Sequence, residues 1–166
     1  NIPYYITSRF IRSFLEAKNP PKEMILMVQK EVAQRICAKP PDMSLLAVSV
    51  QYYAQPEILF YVSRNSFWPK PEVDSAIISI KPFLCPKILP LDYDRKQTVK
   101  FFKIVKAGFL APRKQLLNNL SKGLNLEKEK IKTLLLKAGV DPQRRAETVS
   151  IKEWQKIVKI IDVRCQ

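Results

Sequence analysis

Glu23-Met24-Ile25-Leu26-Met27-Val28-Gln29 is followed directly by Lys30-Glu31-Val32-Ala33-Gln34-Arg35-Ile36-Cys37-Ala38. The first stretch is a short apolar run bounded by Pro20-Pro21 upstream. It reads as a strand buried on both faces, the appearance of strands in parallel sheets. The second carries Val32, Ala33 and Ile36 at helical spacing and is stopped by Pro40-Pro41. Strands and helices in alternation are an α/β pattern.

The same alternation extends outward from this pair. Thr7 and Ser8 are N-cap candidates for a helix with Ile11, Phe14 and Leu15 inward, running to about Lys18. Ser44 to Tyr53 is ambiguous: β-branched and aromatic content favours a strand, while length and placement allow a helix. Strands are predicted at about residues 56–62 and 73–80. The loop Ser63-Arg64-Asn65-Ser66-Phe67-Trp68-Pro69-Lys70-Pro71 joins them, so they pair most simply antiparallel.

Lys81 to Pro90 is studded with proline, which places a boundary there. The expected organisation is residues 1–82, a linker at 83–90, and a helical domain at 91–166. Asp94 can cap a helix carrying Phe102, Val105 and Phe109. Leu116, Leu117, Leu120 and Leu124 mark a second helix. Ile131, Leu134, Leu135 and Ala138 mark a third, ended by Gly139. Asp141-Pro142 opens a turn. Ser150-Ile151-Lys152-Glu153 is a capping box before a last helix with Trp154, Ile157, Val158 and Ile161 inward.

Charge is distributed unevenly. The 166 residues carry 29 Lys and Arg against 15 Asp and Glu, a net charge of +14. Residues 84–166 hold 19 basic and 8 acidic residues, a balance of +11, leaving +3 for the rest. A basic helical half suits a polyanionic partner, most simply nucleic acid. The chain has no histidine, which excludes histidine acid–base chemistry and histidine metal ligands. Its cysteines, Cys37, Cys85 and Cys165, form no C-x-x-C pair, so reduced thiols and no metal are expected. No stretch is apolar enough to span a membrane, and the first residues lack a signal-peptide layout.

Asn1-Ile2-Pro3-Tyr4 suits the methylation of an exocyclic amine on a base. Such an amine is a poor nucleophile because its lone pair is delocalised into the ring. An Asn oxygen and a backbone carbonyl can accept its two N–H groups and free that lone pair without a general base. Pro3 restricts Ile2 to extended conformations, which can aim the Ile2 carbonyl. Tyr4 offers a ring on which an extruded base can stack. An ordinary strand-to-helix turn containing a proline fits the same four residues.

Four segments together carry a resemblance. Asn1 to Ser8, Phe67 to Ala76 (Phe-Trp-Pro-Lys-Pro-Glu-Val-Asp-Ser-Ala), Phe109 to Leu120 and Arg145 to Trp154 resemble, in order, the motifs of the ribosomal RNA adenine N6,N6-dimethyltransferase family. The small-subunit (16S) type matches best, while the Erm resistance methyltransferases match the last two segments less well. Arg9 stands where the family usually has proline.

The resemblance implies the C-terminal portion of a Rossmann-like methyltransferase sheet followed by a small all-α domain, and a helix at Ser44 to Tyr53. It implies S-adenosylmethionine as methyl donor, with Asn1 the one cofactor-binding residue within this sequence. Gly108, Gly123 and Gly139 are the sole glycines, so the family's glycine-rich cofactor turn is expected outside this chain. A C-terminal fragment, inactive by itself, is the expectation.

By resemblance, Asn1 and the carbonyl of Ile2 accept the target amine, with Pro3 and Tyr4 completing the catalytic motif. Tyr4 and Phe67 stack on the flipped adenine. Asp74 and Ser75 tie the loop to the sheet. Arg113, Lys114, Arg144 and Arg145 are the expected RNA-phosphate contacts, with Glu147 an ion-pair partner to the last two. Small-subunit rRNA or a pre-30S particle is the implied partner, in the cytoplasm. An Erm-type large-subunit enzyme and a non-catalytic RNA- or ribosome-binding module are the competing readings.

Overall fold

The computed structural model describes residues 2–17, 19–83 and 95–161, with the side chains of Tyr4 and Arg95 excluded. It divides into two compact units, residues 1–38 with 46–88, and residues 39–45 with 89–166. The expected linker at 83–90 lies, beyond Phe83, outside the described residues, as does Asp94.

The first unit is built on a three-stranded sheet in the order β1-β3-β2, formed by Met24–Gln29 (β1), Ala54–Val62 (β2) and Ser75–Pro82 (β3). The strand at the predicted 73–80 is central, and both neighbours run antiparallel to it, with Met24 opposite Ile80 and Ile58 opposite Ile78. The expectation for β1 is corrected in two respects. Its partner is antiparallel, and Ile25 is 62% exposed while Met24 and Val28 are buried. An apolar run reports burial, not the direction of the neighbouring strand. In β2 the register slips between Ile58 and Phe60, a bulge that accommodates Leu59.

Helices α1 (Thr7–Leu15), α2 (Lys30–Ile36) and α3 (Leu45–Gln51) accompany the sheet. Ile11, Leu15, Val28, Ala33, Ile36, Val50, Ala76, Ile78 and Ile80 share one buried core. Alternate β3 residues enter that core because side chains alternate across a strand. Ser44 to Tyr53 is helical over Leu45–Gln51, as the resemblance implies. Gln51 fixes it by donating from Nε2 to the carbonyls of Ile36 (2.9 Å) and Ala38 (2.8 Å).

Thr7 and Ser8 do not cap α1. A 3-10 turn at Tyr4–Ile6 runs straight into the helix, so the preceding residue, Ile6, is already helical at φ −99° and ψ −5°. A side-chain cap needs an extended residue at that position. Thr7 is buried instead, within the helix.

The second unit is helical: α4 (Arg95–Gly108), α5 (Leu116–Leu124), α6 (Lys128–Lys137) and α7 (Ile151–Ile160). Phe101, Ile104, Val105, Leu116, Leu120, Ile131, Leu135, Trp154 and Ile157 are among its buried side chains. In α4 the inward phase is Phe101 with Ile104 and Val105; Phe102 and Phe109 are half-buried. Gly139 takes φ +72° just past α6, a conformation that suits glycine. Ser150 accepts from the Glu153 N–H at 3.3 Å and Glu153 accepts from the Ser150 N–H at 2.8 Å, the predicted capping box. Residues 39–45 group with this unit, where the Met43 N–H donates to the Glu147 carbonyl at 2.9 Å and Met43 is buried.

Candidate active site and nucleic-acid interface

Asn1, the residue that carries the expected amine-accepting role, lies outside the described residues. Ile2 is half-buried and Pro3 exposed. The chain then turns through Tyr4–Ile6, where the Ile6 N–H donates to the Pro3 carbonyl at 3.2 Å. This turn, anchored by the buried face of α1, fixes the backbone of the motif. Tyr5 projects outward at 90% exposure.

Phe67 comes from the β2–β3 loop of the same unit. It is half-buried and extended, φ −121° and ψ 150°, just after a 3-10 turn at Arg64–Ser66. That loop is tied at its base. The Arg64 N–H donates to Asp74 Oδ1 at 3.0 Å, and the Arg64 guanidinium donates to the Glu72 carbonyl at 3.0 Å. The Asp74 carbonyl accepts from the Lys30 N–H at 3.0 Å, and its carboxylate lies 3.8 Å from Lys30 Nζ. Asp74 therefore ties the loop to the start of α2, and Ser75 is fully buried in β3.

The basic motif residues sit on two segments of the second unit that meet at the start of α5. The Leu116 N–H donates to the Arg144 carbonyl at 2.7 Å, and the Leu117 N–H donates to the Pro142 carbonyl at 3.2 Å. The Arg113-Lys114 loop and the Arg144-Arg145 turn are thereby adjacent across 30 residues of sequence. Arg113, Lys114 and Arg145 are exposed.

Arg144 is engaged within its own unit. Its guanidinium donates to Glu153 Oε1 at 2.6 Å, to the Thr148 hydroxyl at 3.1 Å and to the Thr148 carbonyl. These bonds occupy part of a fork with five N–H donors, and they give Arg144 a structural task beside its expected RNA contact. Partial burial opposes the charge of Glu153, but hydrogen bonds from Arg144 and Ser150 and the Arg144 charge outweigh it and hold the carboxyl down at about 2. Glu147 pairs with Arg145 at 3.6 Å, not with Arg144.

Asn119, within the third of the resembling segments but given no role there, holds the α4–α5 loop. It is 3% exposed, and its Nδ2 donates to the carbonyls of Gly108 (2.7 Å) and Ala111 (2.9 Å). The available signal was an amide one residue from Leu120 on the inward face. Of the cysteines, Cys85 and Cys165 lie outside the described residues. Burial, with the Glu57 charge, pushes the Cys37 thiol up to about 11, so it is protonated at neutral pH. Among the described residues no acidic or cysteine cluster is arranged for a metal, and no helix is long and apolar enough to cross a membrane.

A family model described as ribosomal RNA adenine dimethylase matches residues 1–163. The chain is 49% identical over 157 residues to the ribosomal RNA small subunit methyltransferase A of Dehalococcoides mccartyi (strain CBDB1), covering 95% of this chain and 52% of that protein. It is 44% identical over 163 residues to the protein of the same name from Desulfitobacterium hafniense (strain DSM 10664 / DCB-2), covering 97% and 56%. The chain thus spans about half the length of the curated relatives it matches. Two solved structures share the fold at 23% identity. A dimethyladenosine transferase from Plasmodium falciparum has a TM-score of 0.77, covering 95% of this chain and 63% of that one. The 23S rRNA methyltransferase ErmE has a TM-score of 0.70, covering 96% and 62%. The chain belongs to the ribosomal RNA adenine dimethylase family.

Proposed function

We propose that this chain supplies the base-handling motif and the RNA-binding helices of an enzyme that dimethylates adenine N6 in small-subunit rRNA. The observation that carries the reading is the family match over residues 1–163, with relatives named as small-subunit methyltransferases. In it, Asn1 Oδ1 and the Ile2 carbonyl accept the N–H groups of the target amine and localise its lone pair. Pro3 holds that turn, and Tyr4 and Phe67 sandwich the flipped base. Arg113, Lys114 and Arg145 contact phosphate, and Arg144 orders the turn that presents Arg145. The setting is the cytoplasm, with a pre-30S particle as substrate.

S-adenosylmethionine supplies the methyl group. The first unit contains no glycine, so its residues do not form a glycine-rich cradle for the cofactor. Apart from Asn1, its binding residues belong to sequence outside this chain.

The test is single-turnover methylation of 30S particles by a protein of the relatives' full length. Asn1→Ala should lower the rate by about a hundredfold or more and leave RNA affinity unchanged. A near-normal rate in that variant refutes the role. Methylation appearing on 50S and not 30S particles would establish the large-subunit reading.

A further inference from the structure

We propose that Trp68 is a stacking platform for an unpaired RNA base, a contact additional to those of Tyr4 and Phe67. The proposal rests on the RNA reading above. Trp68 is 97% exposed. A tryptophan buries about 150–250 Å² when packed, so leaving one in water forgoes a large stabilisation.

The exposure does not come from a loose loop. Ser63 Oγ accepts from the Asn65 N–H at 3.2 Å, and the Ser63 carbonyl accepts from the Ser66 N–H at 3.0 Å. Arg64 and Asp74 close the base of the loop, and Pro69 and Pro71 each fix a φ angle. An aromatic ring held outward on a stiff loop meets a ligand without a large ordering cost.

The surroundings favour a base over an apolar protein surface. Lys70, two residues on, is exposed and has no ion-pair partner among the described residues. Beside Trp68 the loop offers exposed Arg64, Asn65, Ser66 and Pro69 and the half-buried Phe67, with exposed Glu72 beyond Lys70. Residues 1–83, which hold Trp68, carry +3 of the net charge of +14. A π face beside a cation is the pairing that binds single-stranded nucleic acid: stacking for the base, charge for its phosphate.

The second tryptophan, Trp154, is fully buried, so it serves as an internal control. Titrate the chain with single-stranded oligoadenylate, following both anisotropy of a labelled oligonucleotide and tryptophan emission. The expected result is quenching of the solvent-exposed, acrylamide-accessible emission, with the buried component unchanged. Trp68→Ala should weaken binding by about tenfold and Trp68→Phe by no more than about threefold. Neither should change the melting temperature or the salt slope, because no charge and no core contact is altered. Binding by anisotropy with no quenching and with wild-type affinity in Trp68→Ala overturns the Trp68 proposal and leaves the RNA reading standing. No binding of oligoadenylate or of 16S rRNA at low salt overturns both.

Discussion

The Arg144 guanidinium and the Glu153 carboxylate meet at 2.6 Å, joining the turn after α6 to the first turn of α7. Both side chains are about 30% exposed, 30% for Arg144 and 27% for Glu153, so the pair is neither a rim ion pair nor a desolvated one. Hydrogen bonds to charged groups in such settings contribute about 1.5–3 kcal/mol. Glu153→Gln and Arg144→Met should each destabilise the chain by about that amount in urea denaturation, and the double variant should cost less than the sum.

The same pair gives the chain a signature in acid. The folded carboxyl titrates at about 2, against 4.5 for the free group. A depressed carboxylate contributes stability that is fully present above the unfolded value and is lost as pH falls through the folded one. Wild type should therefore lose stability between about pH 4.5 and about pH 2 more steeply than Glu153→Gln. Parallel acid limbs for the two proteins would show that Glu153 is not held down.

Gly108 ends α4 against the indole of Trp154. A Cβ at Gly108 would clash with the ring, and Trp154 is fully buried. Replacing a helical glycine by alanine ordinarily gains about 1 kcal/mol. Here Gly108→Ala should destabilise by about 1–3 kcal/mol, because overpacking outweighs propensity. A melting temperature at or above wild type would refute the close approach.

Much of this was legible in the residues, and the misses share a cause. Period and punctuation located the strands and helices, because Pro20-Pro21, Pro40-Pro41 and Gly139 interrupt patterns that burial imposes. Direction was not legible: nothing in Met24 to Gln29 says whether its partner runs parallel. The helix at Leu45–Gln51 ran against its β-branched content, since packing in the sheet core overrides local preference. At the site, residue type suggested that Arg144 and Arg145 act alike. Only the positions of Glu153 and Thr148 separate them, and those partners become neighbours through the fold.

Asn119 gives a prediction about the loop between α4 and α5. Asn119→Leu keeps the volume but leaves the Gly108 and Ala111 carbonyls without their donor, a cost of about 1–3 kcal/mol. Amide hydrogen exchange should quicken over residues 109–115 more than over α6. Uniform acceleration across the unit would mean that Asn119 contributes only to global stability.

The last prediction separates a footprint from a diffuse charge. Arg113 and Lys114 are exposed beside the Arg145 turn, whereas Lys128 and Lys132 lie on α6, with Lys132 4.0 Å from Glu129. Arg113→Glu with Lys114→Glu, and Lys128→Glu with Lys132→Glu, change the net charge equally. If binding depended on net charge alone, 16S rRNA affinity at matched salt would fall equally in both. If phosphates dock at the start of α5, the first pair should lose about tenfold more. Its log affinity should also depend less steeply on log salt, by about 0.9 for each duplex phosphate contact removed. Arg144 does not suit this comparison, because reversing its charge against Glu153 would disrupt the turn and lower affinity for a reason unrelated to phosphate. Equal losses and equal slopes in filter-binding titrations would assign RNA affinity to the whole basic surface and remove the special role of Arg113 and Lys114.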